Sequence, residues 1–494
     1  MGVDFSLVSP PGRANNHYRP PLGLMYIAAY LRQQGIKTNI IDVTIRPFST
    51  VNRRQITEEI LRQVKISYPK IVGIPCMTSE FQEVIELSRK IKRELNAVTI
   101  VVGGIHPTLR PDDFFFEKSP VDYVISGEGE ITTFELARAI MEGGTIGEVL
   151  GIAWFDKSKM AVVKTKLRPL IQNLDELPFP AFDMVDMKYY TTPNPYSIRG
   201  ILISSFYILS GRGCPFNCTF CVAKQLRKNA GPGMSVRFRS AKNVADEIQL
   251  LVKDYSIDGF YVVDDTFAVN AHRTIEFCDE LLSRRLNITW GCETRVNKVS
   301  EELLKRMKKA GCIQLDFGVE SGSQKVLDHV QKGITVSEIK AAFKLCHKLK
   351  IRTFANMLVN LPGETEEDIK ASLKLLDVIK PTVVAFNVYT PYVGTEISSQ
   401  LDIAPDDYYL LGYPPLELVK SPKFRFAIHD LDFTEFYKIY FARYNHLLTS
   451  VLSILQRQYI KQLIVSKRKK EYLMQISETF GELKRQKFGK INAK

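Results

Sequence analysis

The chain has 494 residues, of which 45% are hydrophobic and 24% are charged. This composition is typical of a globular protein of roughly two to four domains, and it excludes a disordered or collagen-like chain. The eight cysteines are too sparse for an extracellular disulfide scaffold. Because the sequence has no secretion signal and no long apolar window, it predicts a cytoplasmic protein.

Positive charge is concentrated near the end of the chain. The net charge is +13, and from residue 401 onward there are 16 Lys and Arg against 10 Asp and Glu. A solvated basic tail, an anionic substrate and peripheral contact with an anionic membrane are all compatible with this charge. Nucleic acid is not an expected partner, because the sequence contains no recognition motif of the usual kinds.

Residues 1–150 alternate short β-rich runs with amphipathic runs. This alternation predicts an α/β domain with a doubly wound parallel sheet. The predicted strands are 5–8, 38–41, 71–74, 99–102 and 121–125, and the predicted helices are 22–33, 80–94 and 132–141.

Four turns follow predicted strands at the carboxyl edge of this sheet, where such folds bind ligands. The candidate binding residues in these turns are Ser9, Pro10, Thr78, Ser79, Gly103, Gly104, His106, Gly127, Glu128 and Gly129. The glycines allow positive φ and a close approach of the backbone to a ligand. Each turn alone is equally compatible with ordinary strand-to-helix connections, so it is their coincidence on one edge that favours a binding face.

Residues 151–200 form a predicted linker with a possible hairpin (152–155 and 161–163) and a proline-containing stretch at 177–180. A second alternation covers residues 201–396. This part of the chain predicts a partial (β/α)6 TIM-type barrel, because it contains six β-rich runs that alternate with helical runs. The predicted strands are 203–209, 259–263, 288–291, 313–317, 353–358 and 383–388.

Residues 397–494 form a predicted helical, basic C-terminal region. Apolar residues from Phe433 to Leu455 recur at i, i+3, i+4 spacing, which predicts a long amphipathic helix. Packing against the barrel and contact with a membrane surface or a lipid substrate are the two alternatives for its apolar stripe.

A cysteine loop follows the first barrel strand. Cys214, Cys218 and Cys221 have the spacing C-x3-C-x2-C, so three thiolates lie within eight residues. A structural zinc site normally needs four ligands, and no second cysteine knuckle is present. Iron–sulfur clusters are held by cysteine thiolates, and three of them leave one iron open for an outside ligand. Phe220, just before the last cysteine, is placed to shield one side of such a cluster.

This loop resembles the signature of the radical S-adenosylmethionine enzymes. The resemblance implies a 4Fe–4S cluster whose open iron binds S-adenosylmethionine, a reductase such as flavodoxin or ferredoxin, and a 5′-deoxyadenosyl radical that abstracts a substrate hydrogen. On this resemblance, the residues expected to contact S-adenosylmethionine are Phe220, Asp264, Asp265, Arg295, Glu320 and Ser321.

Two features of this set leave alternatives open. The usual Gly-Gly-Glu of the family is replaced by Asp264-Asp265-Thr266, so either aspartate is a candidate for the methionyl amino group, and both are also compatible with surface carboxylates. Arg295 is equally compatible with a structural ion pair. Residues 360–365 follow the fifth strand, where relatives place the adenine, or form only a turn and a helix N-cap.

The N-terminal turns, together with residues 174–180 and 390–395, resemble the cobalamin-dependent class of these enzymes. The string D-x-H-x-x-G, which supplies a histidine below the cobalt in other cobalamin domains, is missing. Cobalamin therefore binds without that histidine, or the domain is a relict without cofactor. His106 and His17 are candidate axial groups or, alternatively, hydrogen-bonded loop histidines.

The resemblance implies a cobalamin-dependent methyltransferase that acts on an unactivated carbon, or on phosphorus, of a small-molecule or lipid substrate. One alternative is an oxidative cyclase of the anaerobic magnesium-protoporphyrin monomethyl ester type, which has the same domain order. Another is a cobalamin or iron–sulfur sensor without turnover.

Overall fold

The computed structural model describes residues 2–12, 18–43, 52–230, 233–234, 236–411, 424, 426 and 466–476. The strands of the first sheet are β1 Phe5–Val8, β2 Thr38–Ile41, β3 Ile71–Pro75, β4 Thr99–Gly103, β5 Tyr123–Ile125, β6 Ile152–Asp156 and β7 Ala161–Lys164. They lie in the order β2-β1-β3-β4-β5-β6-β7, and β1 to β5 run parallel. The predicted parallel sheet is thus confirmed.

Helices connect these strands. They are α1 Leu22–Gln33, α2 Arg53–Ser67, α3 Phe81–Glu94, α4 Ile105–Leu109 and α5 Gly129–Glu142. The predicted helix at 22–33 is confirmed, and it begins directly after Pro21, where a missing N–H costs nothing. Helix α2 was not predicted, although Asn52 and Gln55 form a capping box before its buried residues Ile56 and Ile60.

The hairpin of β6 and β7 extends the first sheet. Both strands pair antiparallel, β6 with β5 and β7 with β6. The sequence places this hairpin in the linker, whereas the structure joins it to the sheet edge, because Ile152 and Ala153 are buried against β5.

The second alternation forms a six-stranded parallel sheet. Its region contains β8 Ser205–Ile208, β9 Gly211–Arg212, β10 Arg237–Phe238, β11 Gly259–Val262, β12 Thr289–Thr294, β13 Cys312–Glu320, β14 Arg352–Val359 and β15 Val383–Val388. The order is β8-β11-β12-β13-β14-β15, with all neighbours parallel. Sequential order with helical connections is the topology of the predicted partial barrel.

Helices also occur in this part of the chain, and most of them connect successive strands. They are α6 Met187–Tyr190, α7 Val222–Lys228, α8 Ala241–Tyr255, α9 Ala271–Ser283, α10 Glu301–Lys309, α11 Gln324–His329, α12 Val336–Lys348 and α13 Glu366–Ile379. Side-chain caps define several N-termini, with Thr335 and Glu338 forming a capping box on α12.

The chain divides into two compact units that do not follow chain order. The first contains residues Met1–Asp186, Gly213–Phe238 and Thr390–Arg425, and the second contains Met187–Arg212, Arg239–Tyr389 and Phe426–Lys494. The cysteine loop therefore belongs to the unit that holds the first sheet.

The C-terminal region is described only in part. Residues 469–476 are helical, and Tyr472 donates a hydrogen bond to Asp258 within the second unit. The predicted amphipathic stripe from Phe433 to Leu455 lies outside the described residues. In the portions of the chain that are described, no helix is both long and apolar enough for a membrane span.

Candidate active site

The cysteine loop of the first unit is anchored by an arginine. Arg227 of α7 donates to the backbone oxygen of Cys214 at 2.5 Å and to that of Phe216 at 3.1 Å, and it also bonds the Asn217 side chain. The N–H of Cys221 donates to the carbonyl of Cys218 at 3.2 Å. The helix that follows the loop thus holds the loop's first half in place.

Other contacts tie this loop to the rest of the first unit. Helix α7 packs against α4 of the first sheet, and Lys224 forms an ion pair with Glu396. The Tyr392 phenol lies near Cys221, and burial together with this thiol raises the pKa of Tyr392. Residues 390–395, one of the motifs in the family resemblance, therefore pack beside the cysteines.

The first sheet carries a cavity of about 250 Å³ near its carboxyl edge. It lies between the sheet and helices α1 and α5. Its lining residues include Gly23, Ile27, Gly73, Cys76, Met77, Gly103, Gly104, Ile125, Gly127, Gly129 and Thr133.

Glycines form part of the cavity wall, and two of them pack closely against other parts of that wall. A Cβ on Gly104, whose φ is +111°, would lie 3.2 Å from the carbonyl oxygen of Cys76. A Cβ on Gly129 would lie 2.8 Å from the Ile27 side chain. At these positions the backbone itself forms the wall, so it can come close to a ligand.

Four of the ten turn residues selected from sequence line the cavity, namely Gly103, Gly104, Gly127 and Gly129. The other six do not. Ser9 donates its N–H to Ile41 at 2.9 Å, Pro10 is buried and Ser79 is exposed. Glu128 accepts hydrogen bonds from Arg237 at 2.9 Å and from the N–H of Ile171 at 2.8 Å.

His106 is fully buried behind the cavity rather than in its wall. Its Nδ1 lies 3.1 Å from Thr78 Oγ1, and its Nε2 lies 3.3 Å from Asp113 Oδ2. The Tyr408 hydroxyl donates to the same carboxylate oxygen at 2.5 Å, and its ring packs against the imidazole. This is the hydrogen-bonded loop histidine of the sequence alternatives. His17 lies outside the described residues.

In the second unit, the two aspartates after β11 have different environments. Asp264 is buried and accepts hydrogen bonds from the N–H and hydroxyl of Ser210 at 2.6 and 2.5 Å. Asp265 is accessible to solvent, and among the described residues nothing bonds its carboxylate. Desolvation by the surrounding protein nevertheless raises the pKa of Asp265.

The end of β13 carries a buried ion pair that the sequence did not reveal. Glu320 accepts a hydrogen bond from Lys332 at 2.6 Å. Arg295 donates to the carbonyls of Lys332 and Gly333, so it positions the same loop. Ser321 is fully buried, with its hydroxyl 3.3 Å from that of Ser372 on α13. The carboxyl end of β13 therefore carries both a negative charge, on Glu320, and a positive charge, on Lys332.

Comparisons with known proteins agree with these observations. The family model of the radical SAM superfamily matches residues 208–376, and that of the B12 binding domain matches residues 16–137. The uncharacterized methyltransferase PH0819 of Pyrococcus horikoshii is 32% identical over 76% of this chain and 77% of its own length.

Two further proteins are similar. The anaerobic magnesium-protoporphyrin IX monomethyl ester cyclase of Rubrivivax gelatinosus is 30% identical over 77% of this chain and 66% of the cyclase. The solved structure of the radical S-adenosylmethionine methyltransferase TsrM from Kitasatospora setae, with cobalamin and a [4Fe-4S] cluster bound, has a TM-score of 0.64 at 20% identity, over 81% of this chain and 75% of that one.

The chain belongs to the B12-binding radical SAM enzymes. Its cofactors are accordingly a 4Fe–4S cluster, S-adenosylmethionine and cobalamin. Of the sequence alternatives, a relict domain without cofactor and a sensor without turnover are therefore set aside.

The residues present fit these groups. None of the eight cysteines is in a disulfide, and Cys214, Cys218 and Cys221 supply three soft donors on one loop, as an iron–sulfur cluster requires. The fit is one of donor chemistry and spacing, since within the described ranges no three His, Cys, Asp or Glu side chains lie close enough together to hold a metal ion. The glycine-walled cavity of about 250 Å³ has room for part of cobalamin, and its glycines let the backbone come close to that part.

Proposed function

We propose that this radical SAM enzyme methylates an unactivated carbon, or phosphorus, of a small molecule. The observation that supports this best is that one compact unit contains both the three-cysteine loop and the glycine-walled cavity. When bound, the cluster and S-adenosylmethionine supply a 5′-deoxyadenosyl radical that activates the substrate, and cobalamin supplies the methyl group.

We assign distinct tasks to residues of the first unit. Cys214, Cys218 and Cys221 hold the cluster, and Arg227 positions their loop through backbone carbonyls. Gly103 and Gly104 let the backbone lie against cobalamin. No histidine lines the cavity in the described part of the chain, so we expect cobalamin to bind without a histidine ligand.

In the second unit we assign S-adenosylmethionine contacts to Asp265 and Glu320. Asp265 has a carboxylate that no described residue bonds, so it can accept hydrogen bonds from an ammonium group. Glu320 uses Oε1 for Lys332, which leaves Oε2 for the ribose hydroxyls. Asp264 instead positions the chain at Ser210, just before the cysteine loop.

Partners follow from the chemistry of the family. Reductive cleavage of S-adenosylmethionine needs an external electron donor, for which a flavodoxin or a ferredoxin is the natural class. Contact between the basic C-terminal region and an anionic membrane stays a prediction, as does a cytoplasmic location.

The cyclase interpretation keeps the same cofactors, and the similarity to the Rubrivivax protein is the observation that favours it. Single-turnover chemistry separates the two functions without knowledge of the substrate. Protein reconstituted anaerobically with iron, sulfide and cobalamin is given S-adenosylmethionine and a strong reductant. A methyltransferase forms S-adenosylhomocysteine up to the amount of bound cobalamin, whereas a cyclase forms almost none.

The matched control for this experiment is Cys218→Ala. The same reaction mixture is also assayed for 5′-deoxyadenosine, the product of reductive cleavage of S-adenosylmethionine. Cys218→Ala should form none, because the cluster loses a ligand. Cys278→Ala removes a buried cysteine of α9 that no proposed ligand set includes, and it should retain activity. Methyl transfer is disproved if the wild-type protein binds cobalamin but forms no S-adenosylhomocysteine.

A further inference from the structure

The second sheet has one apolar and one polar face. Phe260 and Trp290 stack at 5.7 Å and pack against Phe277 of α9, so their side chains face the helices. Side chains alternate along a strand, so their neighbours face the other way. By the strand register, the opposite face carries Tyr207, Tyr261, Glu293, Gln314, Asp316, Phe354 and Asn356.

This inner face differs from the usual interior of such barrels, which branched aliphatic side chains fill. Asp316 accepts hydrogen bonds from the Tyr261 hydroxyl at 2.8 Å and from the Gln314 amide at 2.9 Å. Both of its oxygens are thus engaged. Burying polar side chains such as Asp316 costs free energy, because they lose contact with water. We expect a protein to retain such a polar interior where it binds a polar ligand.

Arg199 enters this interior from the amino-terminal end of the strands. Its backbone carbonyl accepts a hydrogen bond from Arg352, the first residue of β14, at 3.3 Å. Its guanidinium lies 4.2 Å from the ring centroid of Phe354 and 3.4 Å from Oδ1 of Asn356. The side chain therefore runs along β14 over four residues, towards the carboxyl ends of the strands.

The guanidinium is only partly engaged. An arginine has five N–H donors, yet among the described residues Arg199 makes one long hydrogen bond, to Asn356. Its Nε is 4.0 Å from Asp316 Oδ2, a distance that makes an ion pair but not a hydrogen bond. One third of the side chain, 33%, is exposed. The guanidinium of Arg199 thus rests on the Phe354 ring, and its terminal N–H groups remain available to a ligand.

We propose that Arg199 binds an anionic group of the substrate, a carboxylate or a phosphoryl group, inside the second sheet. This inference rests on the proposed function, since it concerns the substrate of that same reaction. A fixed guanidinium matches the two oxygens of such a group. A hydrocarbon in the same place would bury unpaired donors, so the inference disfavours a purely lipid substrate.

The alternative role for Arg199 is that of counter-ion to buried Asp316. Arg199 does act on Asp316, because its charge opposes the rise that burial causes in the pKa of Asp316. This role leaves the N–H donors of Arg199 unused, because Tyr261 and Gln314 already donate to the two oxygens of Asp316 at 2.8 and 2.9 Å. Arg199 instead places its terminal nitrogens beyond Asp316, beside Asn356. Glu293 faces the same interior, so the anionic group is expected at the level of Asn356 rather than next to Glu293.

The test uses the reconstituted holoenzyme with S-adenosylmethionine bound, so that the cofactor carboxylate occupies its own site. Methylphosphonate and propionate serve as probes in ligand-observed NMR titrations. Arg199→Met should raise the dissociation constant of the bound probe about tenfold or more, and Arg199→Lys should raise it by less. Binding of only one probe identifies the group as phosphoryl or carboxylate.

Two further variants keep the test decisive. Asn356→Asp retains Arg199 but adds a competing carboxylate, so it should weaken probe binding about tenfold. Arg285→Met removes one exposed positive charge elsewhere in the same unit and should leave the affinity unchanged. The inference is overturned if the wild type binds neither probe, or if Arg199→Met and Asn356→Asp bind it as well as Arg285→Met does.

Failure of this inference is distinguishable from failure of the proposed function. Formation of S-adenosylhomocysteine in a single turnover needs no substrate and hence no anion at Arg199. An enzyme that passes that assay but shows no probe binding retains its proposed function and loses only the assignment of Arg199.

Discussion

Lys332 Nζ lies 2.6 Å from Glu320 Oε1, and both side chains are about nine-tenths buried. Gly318 makes this pairing possible, because a Cβ there would lie 2.5 Å from the carboxylate oxygen and 2.7 Å from the ammonium. Glu320 itself has φ of +64°, which a residue with a side chain adopts at a cost. The backbone of Glu320 is thus strained, and its carboxylate is held at the end of β13, where we place S-adenosylmethionine.

Removal of the lysine should therefore be costly. Lys332→Met leaves the Glu320 carboxylate buried without its partner, and we expect the free energy of unfolding to fall by about 3 kcal/mol. Urea denaturation of the apoprotein measures this. Lys325→Met is the control, because Lys325 pairs with Asp368 but is 60% exposed, and such a pair contributes less than about 1 kcal/mol. Equal losses in both variants would contradict the structural role of Lys332.

The two adjacent aspartates should respond differently to substitution. Asp265→Asn should weaken binding of S-adenosylmethionine about tenfold with little change in stability, because the side chain has no described protein partner. Asp264→Asn should lower the melting temperature, because its buried oxygens bond Ser210 at 2.6 and 2.5 Å. Equilibrium dialysis and thermal unfolding of both variants test this. The reverse pattern would transfer the cofactor contact to Asp264.

Much of the fold could be predicted because its signals are local. The proline before α1, the short β-rich apolar runs of the strands and the capping residues of the helices all act over a few positions. Helix α2 was missed although its signal is of the same kind, the capping pair of Asn52 and Gln55. Four cavity glycines could also be predicted, since glycine after a parallel strand allows positive φ and a close approach of the backbone to a ligand.

The rest of the site depends on pairings that sequence does not encode locally. Lys332 follows Glu320 by twelve residues, and Arg199 precedes Asn356 by 157, so no spacing rule connects either pair. The same limit applies to His106. Its ring was a candidate ligand by position, but its contacts with Thr78 and Asp113 place it behind the cavity.

The cavity assignment predicts the effect of one added methyl group. Gly104→Ala places a Cβ 3.2 Å from the carbonyl oxygen of Cys76, so the backbone of the cavity wall must shift, and we expect cobalamin affinity to fall about tenfold. Gly143→Ala is a matched control. Gly143 also has positive φ, +71°, but a Cβ added there would meet nothing within 4 Å among the described residues, and Gly143 does not line the cavity.

Gly143→Ala should lose about 1 kcal/mol of stability, because the left-handed conformation of Gly143 strains an alanine. Gly104→Ala should lose more, because the φ of +111° and ψ of -161° at Gly104 lie in a region that only glycine readily adopts. Only Gly104→Ala should elute from gel filtration with less cobalamin per protein, as measured by the absorbance of the corrin. Equal cobalamin content in the two variants would remove this cavity from the cobalamin site.

A buried acid after β14 predicts an unusual pH dependence. Glu364 Oε2 accepts the N–H groups of Asn360 and Leu361 at 2.7 and 3.3 Å, whereas Oε1 is buried without a partner among the described residues. Desolvation outweighs the two N–H groups and raises the pKa of Glu364 from 4.5 to about 8. The carboxyl group is therefore protonated in the folded protein at neutral pH.

The sign of the effect follows from proton binding. Between pH 4.5 and about 8 the folded chain holds a proton on Glu364 that the unfolded chain has released, so the stability that this proton provides is lost as pH rises through this window. The total change in the free energy of unfolding is of the order of 5 kcal/mol. Glu364→Gln keeps the shape without the titration, so its stability should fall less between pH 5 and 8 than that of the wild type. Urea denaturation of both apoproteins at several pH values measures the difference, and parallel curves would show that Glu364 is ionised in the folded state.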